Sequence, residues 1–140
     1  MIAADRIAVS TEAAHGRSRV AGRVCTTVAA LFLAFDAILK LLRLAPAVEG
    51  TTSLGYPADT VLWIGVIELV CLAFYLLPRT AVVGALLMTG YLGGAVATHV
   101  RISNPLLTHI LFPIYVALLL WAGLCLRDPR LRVFWPLRPI

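Results

Sequence analysis

Charge is scarce in this chain. Of its 140 residues only 14% are Asp, Glu, Lys or Arg, and Lys40 is the single lysine. With 61% hydrophobic residues and a mean hydropathy of +0.93, there is too little polar surface to clothe a soluble domain. No phosphate-cradling glycine loop, nucleophile elbow or dinucleotide fingerprint occurs. Internal repeats and low-complexity segments are lacking too. Strict apolar–polar alternation is missing, which excludes transmembrane strands. The three cysteines, Cys25, Cys71 and Cys125, form no C-x-x-C pair. Small apolar packers are the plainer reading of them, and a thiol redox pair is the lesser one.

What is present is four long apolar runs, at residues 24–44, 60–77, 80–100 and 106–126. Each holds about 18–21 residues, and a helix rising ~1.5 Å per residue then spans a hydrocarbon core of ~30 Å. Lipid offers no hydrogen bonds to the backbone, so the runs are expected to be helices. The expected fold is all-α, an integral membrane four-helix transmembrane bundle.

The net charge of +5 does not point to nucleic acid, because the arginines flank spans instead of forming one basic face. Arg6, Arg17, Arg19, Arg23, Arg79, Arg127, Arg130, Arg132 and Arg138 fall on one side, and Arg43 and Arg101 on the other. Nine against two puts both termini in the cytoplasm by the positive-inside rule. A cleaved signal peptide would have a shorter apolar region without Asp36 and Lys40, so the first span is expected to be retained. Residues 1–22 are expected to be a mobile or surface-lying basic tail, residues 23–127 the transmembrane domain, and residues 128–140 a basic interfacial tail with Phe134 and Trp135.

Punctuation places the connections. Pro46 is expected to end the first span and open an outer loop over residues 45–59, which holds the turn Gly55-Tyr56-Pro57. Asp59 and Thr60 offer N-caps to the second span. Pro78-Arg79-Thr80 is a hairpin so short that spans two and three must be antiparallel neighbours. Pro113 lies inside the fourth span and is expected to kink it. Gly90, Gly94 and Thr98 recur at four-residue spacing, with Gly93 and Ala97 beside them. That stripe predicts close approach of a neighbouring helix, within the chain in preference to between copies.

The ionisable residues inside the runs are the candidate site. Asp36, Lys40 and Arg43 share one face at i, i+4 and i+7. Glu68 falls near the middle of span two, His99 and Arg101 at the outer end of span three, and His109 in the first turn of span four. All therefore lie in the outer half. Asp36–Lys40 reads most simply as an intrahelical ion pair, and Arg43 and Arg101 as arginines snorkelling to the interface. His109 reads as a helix-end residue. Glu68 resists a bland reading, since a lone midplane carboxyl must find a partner or stay protonated. No H-x-x-x-H or E-x-x-H spacing joins His99, His109, Glu68 and Asp36, so neither a metal nor a haem site is expected.

Several strings here resemble the DoxX-like family of small four-helix membrane proteins. They are Phe35-Asp36-Ala37-Ile38-Leu39-Lys40, Leu54-Gly55-Tyr56-Pro57, Ile64-Gly65-Val66-Ile67-Glu68-Leu69, Pro78-Arg79-Thr80, the third-run string from Gly90 to Arg101, and Phe112-Pro113. The resemblance covers roughly residues 23–132. It implies the fold, and only loosely a function. Some relatives are membrane subunits of quinone-linked sulfur oxidation or of thiol-redox complexes, and distant ones are assembly factors. The resemblance carries no agreed catalytic set.

The leading expectation is a non-catalytic or redox-accessory subunit in a bacterial cytoplasmic (inner) membrane. An outer-half pocket would bind a lipophile, with a quinone as the candidate head group and a redox enzyme subunit as the candidate partner. Asp36, Lys40, Glu68, Tyr91, His99 and Arg101 would line it, with Tyr56 nearby. Two other readings stand beside it. One is a small isomerase or quinone reductase using Glu68 as acid or base and His99 as relay. The other is a scaffold or assembly factor.

Overall fold

The computed structural model describes the backbone of residues 2–128 and 131, and side chains from residue 16 onward. Among the described residues every regular element is helical. They are α1 (Ile2–Leu41), α2 (Ala45–Ser53), α3 (Thr60–Leu76), α4 (Ala81–Arg101), a π-helical segment (Leu106–Ile110) and α5 (Phe112–Arg127). Three stretches are long and apolar enough to cross a membrane: Gly16–Leu41, Ala81–Arg101 and Leu106–Arg127. The helix α3 is equally apolar but shorter, about 26 Å at the usual rise.

Helix α1 packs on α3 and α5, and α4 packs on the same two, so the four long helices enclose a common centre. That centre holds Leu33, Leu72, Met88 and Leu120. Large apolar side chains also face outward from every long helix. Leu31, Trp63, Leu86 and Leu118 are each more than half exposed. A water-soluble monomer does not display such a belt; lipid covers it.

Local sequence explains the ends. At the end of α1 the Leu44 N–H donates to the Leu39 carbonyl (3.0 Å) and the Arg43 N–H to that of Lys40 (3.1 Å). This is a Schellman motif, with Arg43 in the left-handed region at φ 49°. The end of α4 repeats it through Asn104 to His99 and Ser103 to Val100, with Ser103 at φ 56°. A third closes α2 through Tyr56 and Gly55. Proline follows the first two turns, at Pro46 and Pro105, and cannot continue either helix.

Several sequence expectations are corrected. The first span does not run to Leu44 but stops at Leu41. The outer connection is not all loop, because Pro46 sits in the first turn of α2, where its missing N–H costs nothing. Asp59 occupies the N-cap position of α3 without a side-chain cap bond and instead meets Arg43 at 3.4 Å. The fourth run changes from π-helical to α-helical at Leu111, so Pro113 stands in the first turn of α5. Helix α1 takes in residues 2–22, and Ser18 donates to the Leu126 carbonyl. The interfacial tail expected over residues 128–140 lies outside the described residues apart from Asp128 and Leu131.

The small-residue stripe is also corrected. Gly90, Gly93 and Gly94 have nothing within 4 Å of where a Cβ would stand. The close approach of α3 and α4 happens at Gly84 instead, where a Cβ would overlap the backbone of Tyr75. The two helices are thus pinned beside their hairpin and carry no helix contact at the glycines further out.

Candidate functional site

Four ionisable or phenolic groups from three helices meet inside the bundle. Asp36 and Lys40 lie one turn apart on α1. Gly65 on α3 sits against the Cβ of Lys40 and the Ala37 carbonyl, so α3 comes close enough to bring Glu68, one turn further on, to the Lys40 ammonium. Lys40 Nζ donates to Glu68 Oε2 at 2.7 Å, to the Tyr91 hydroxyl oxygen on α4 at 2.9 Å, and to Asp36 Oδ2. Tyr91 in turn donates to Glu68 Oε2 at 2.8 Å. Glu68 is fully buried, and the side chains of Lys40 and Asp36 are 15% and 37% exposed. Two carboxyls share one ammonium, in a region where ionisable groups survive only when paired.

The second oxygen of that glutamate is alone. Among the described residues Glu68 Oε1 is the buried side-chain polar atom without a hydrogen-bond partner. Leaving a charged acceptor dry and unpaired costs more than a typical hydrogen bond contributes, so native structures rarely do it without a reason.

A cavity of about 500 Å³ is lined by Asp36, Lys40, Glu68 and Tyr91 at its polar end and by Phe32, Ile64 and Val116 elsewhere. Ligand pockets of this kind are mostly apolar with a few convergent polar groups. Ile67 on α3 and Gly90 and Gly94 on α4 also line it, and all three are exposed on the outer surface. These glycines carry no side chain and have nothing within 4 Å of where a Cβ would stand, so the lining between α3 and α4 is thin on the side of the apolar belt. On the opposite seam Phe32 of α1 and Phe112 of α5 meet edge to face at 5.4 Å.

Helix α2 and the following turn roof the end of the cavity beside the last turns of α4. Arg101 donates to the Leu54 carbonyl, and Tyr56 shares a hydrogen bond of 3.0 Å with Thr98. His99 lines the cavity but bonds to Asn104 through Nδ1 at 2.7 Å, and its ring contacts that of His109 edge-on at 5.7 Å. Of the six residues picked from the sequence, the structure therefore joins Asp36, Lys40, Glu68 and Tyr91 directly. It sets His99 at the roofed end and Arg101 outside the cavity lining, on the roof. Sequence reasoning read Gly90, Gly94 and Thr98 as contact points of a helix stripe and did not single out Phe32 or Phe112 as cavity lining. The signal for the glycines was the absence of any bulky residue on that edge of α4.

A family model decides the relationship. That of the DoxX-like family matches residues 24–123. The chain belongs to the DoxX-like family. No curated protein and no solved structure matches it. In this DoxX-like chain the matched stretch includes every residue of the Lys40 cluster and the whole cavity lining. It stops short of the last turn of α5.

Elsewhere in the DoxX-like bundle polar groups are used structurally. Tyr75, buried at the centre, donates to the Leu120 carbonyl at 2.9 Å, and Arg127 lies over its ring. Trp121 donates to Thr89 at 2.9 Å. No disulfide joins Cys25, Cys71 or Cys125. Among the described residues no group of three or more His, Cys, Asp or Glu converges.

Proposed function

We propose that this DoxX-like chain is a four-span protein of a bacterial cytoplasmic membrane, with both termini in the cytoplasm, serving as an accessory subunit of a membrane redox system. Its cavity holds a lipophilic, quinone-like molecule. The observation that carries this reading is a single one. Glu68, whose buried Oε1 has no partner, lines an apolar cavity whose lining between α3 and α4 includes the exposed, side-chain-free Gly90 and Gly94. A lipid-soluble ligand reaches such a site from within the bilayer.

The fourth span follows from topology. The four-residue connection between α3 and α4 sends α3 back alongside a helix long enough to cross, so α3 crosses too. Bilayer thinning or flanking residues accommodate its shorter length at modest cost. The arginine distribution then sets the orientation.

Purification in mild detergent, followed by solvent extraction and mass spectrometry, tests the reading. A lipophile recovered near one molecule per chain, and lost when Gly90 and Gly94 are replaced by leucine, supports it. Ligand-free protein that also fails to take up added quinone or hydroquinone sinks it. An enzyme using Glu68 with His99 has less support, since no hydrogen bond joins the two among the described residues.

A further inference from the structure

Glu68 leaves a particular kind of valence free. Lys40 has three N–H bonds, and all three are committed, to Asp36, Glu68 and Tyr91. Tyr91 has one proton and gives it to Glu68 Oε2. Thr98 gives its proton to the Gly94 carbonyl at 2.9 Å, so Tyr56 must donate to Thr98 in their shared bond. Thr51 donates to the Ala47 carbonyl at 2.7 Å. Of the polar side chains lining the cavity only His99 keeps a donor, on Nε2, because the Asn104 amide donates to its Nδ1. It stands eight residues beyond Tyr91 on α4, about 12 Å toward the outer end.

The polar end of the cavity therefore offers acceptors and no donor. Glu68 Oε1 is free, Oε2 already takes two donated protons, and the Lys40 ammonium at 2.7 Å favours the carboxylate form. A ligand that brings only acceptors would add a second unpaired polar group beside the first. One that brings an O–H repairs the existing one.

We infer that the cavity recognises an apolar molecule through a hydroxyl donated to Glu68 Oε1, so that a hydroquinone, phenol or lipid alcohol is held and the corresponding quinone or ether is not. This rests on the cavity being a lipophile site. It adds which chemical form the site prefers, and it requires no electron transfer within the protein. Substituting Glu68 by glutamine makes a sharper statement still. Lys40 and Tyr91 both donate, so they demand the amide oxygen, and the amide NH₂ is left facing the free position. The vacant valence becomes a donor.

The test is calorimetric titration under anaerobic conditions, on the intact chain in mild detergent. Four probes share one decyl tail: decylhydroquinone, decylbenzoquinone, the hydroquinone dimethyl ether and the simple alcohol. The hydroquinone is expected to bind about tenfold or more tighter than the quinone and the ether, as one added hydrogen bond to a charged acceptor implies. In Glu68→Gln the preference is expected to reverse toward the quinone. An alcohol as tight as the hydroquinone also supports the inference and makes a lipid alcohol the natural occupant. Quinone binding equal to or tighter than hydroquinone binding in the unmodified protein overturns the inference while leaving the site in place. No binding by any probe overturns the lipophile reading itself. The comparison in the unmodified chain needs no variant to fold.

Discussion

Replacing Lys40 by methionine tests whether the polar cluster is held by one ammonium. Methionine keeps the unbranched stem that packs on Gly65 and removes the charge. Asp36 is 37% exposed and stays accessible to solvent, so its share is discounted for screening. Glu68 is fully buried and loses its only cationic neighbour, keeping the Tyr91 hydroxyl. Breaking a buried pair from one side typically costs about 3–5 kcal/mol. For a chain of 140 residues the usual unfolding entropy translates each kcal/mol into roughly 3 °C, so the midpoint should fall by about 10–15 °C. Thermal unfolding followed by intrinsic fluorescence in mild detergent reads the shift. The double variant Lys40→Met/Glu68→Leu removes both charges together and is expected to regain more than half of the loss, a coupling on the order of 2 kcal/mol or more. A single variant within about 3 °C of the parent, or a double variant as unstable as the sum of the singles, would show that the cluster is solvated and not held as described.

Three further outcomes are expected. Gly84→Ala drives a methyl into the Tyr75 backbone and should cost about 1–3 kcal/mol or prevent folding, whereas Gly93→Ala meets open space and should be neutral or slightly stabilising; expression and melting temperature distinguish them. Ser103→Gly relieves a left-handed serine and should gain about 1 kcal/mol, read as a melting point raised by roughly 3 °C. Gly90→Leu together with Gly94→Leu should leave the melting temperature within a few degrees yet abolish uptake of added decylhydroquinone, and retained uptake would move the entrance elsewhere.

The helices were legible because lipid leaves the backbone no alternative, and the apolar runs are long. Lys40 with Asp36 was legible from spacing on one helix. Their meeting with Glu68 and Tyr91 was not, since it depends on how three helices rotate about their axes. Gly65 decides that rotation for α1 and α3, and nothing about an isolated glycine in an apolar run announces it. Helix α2 was hidden because its residues, small and polar around Pro46, have the composition of a loop. The glycine stripe misled for a geometric reason. Antiparallel helices joined by a tight hairpin approach most closely beside the connection, so Gly84, one turn from it, is the contact. Gly90 and Gly94, further along, have open space to fill or to leave.

On the proposed reading, entry between α3 and α4 changes what concentration means for this protein. A solute that arrives through the lipid is sampled at its density in the bilayer, and each added methylene raises that density by favouring transfer out of water by ~0.8 kcal/mol. A longer tail will therefore look like a tighter ligand even if no atom of it touches the protein. Tail length governs delivery, and the head group alone reports the chemistry at Glu68. For the same reason the membrane acts as the site's reservoir, so occupancy follows the composition of the surrounding lipid pool and not the composition of the aqueous phase on either side.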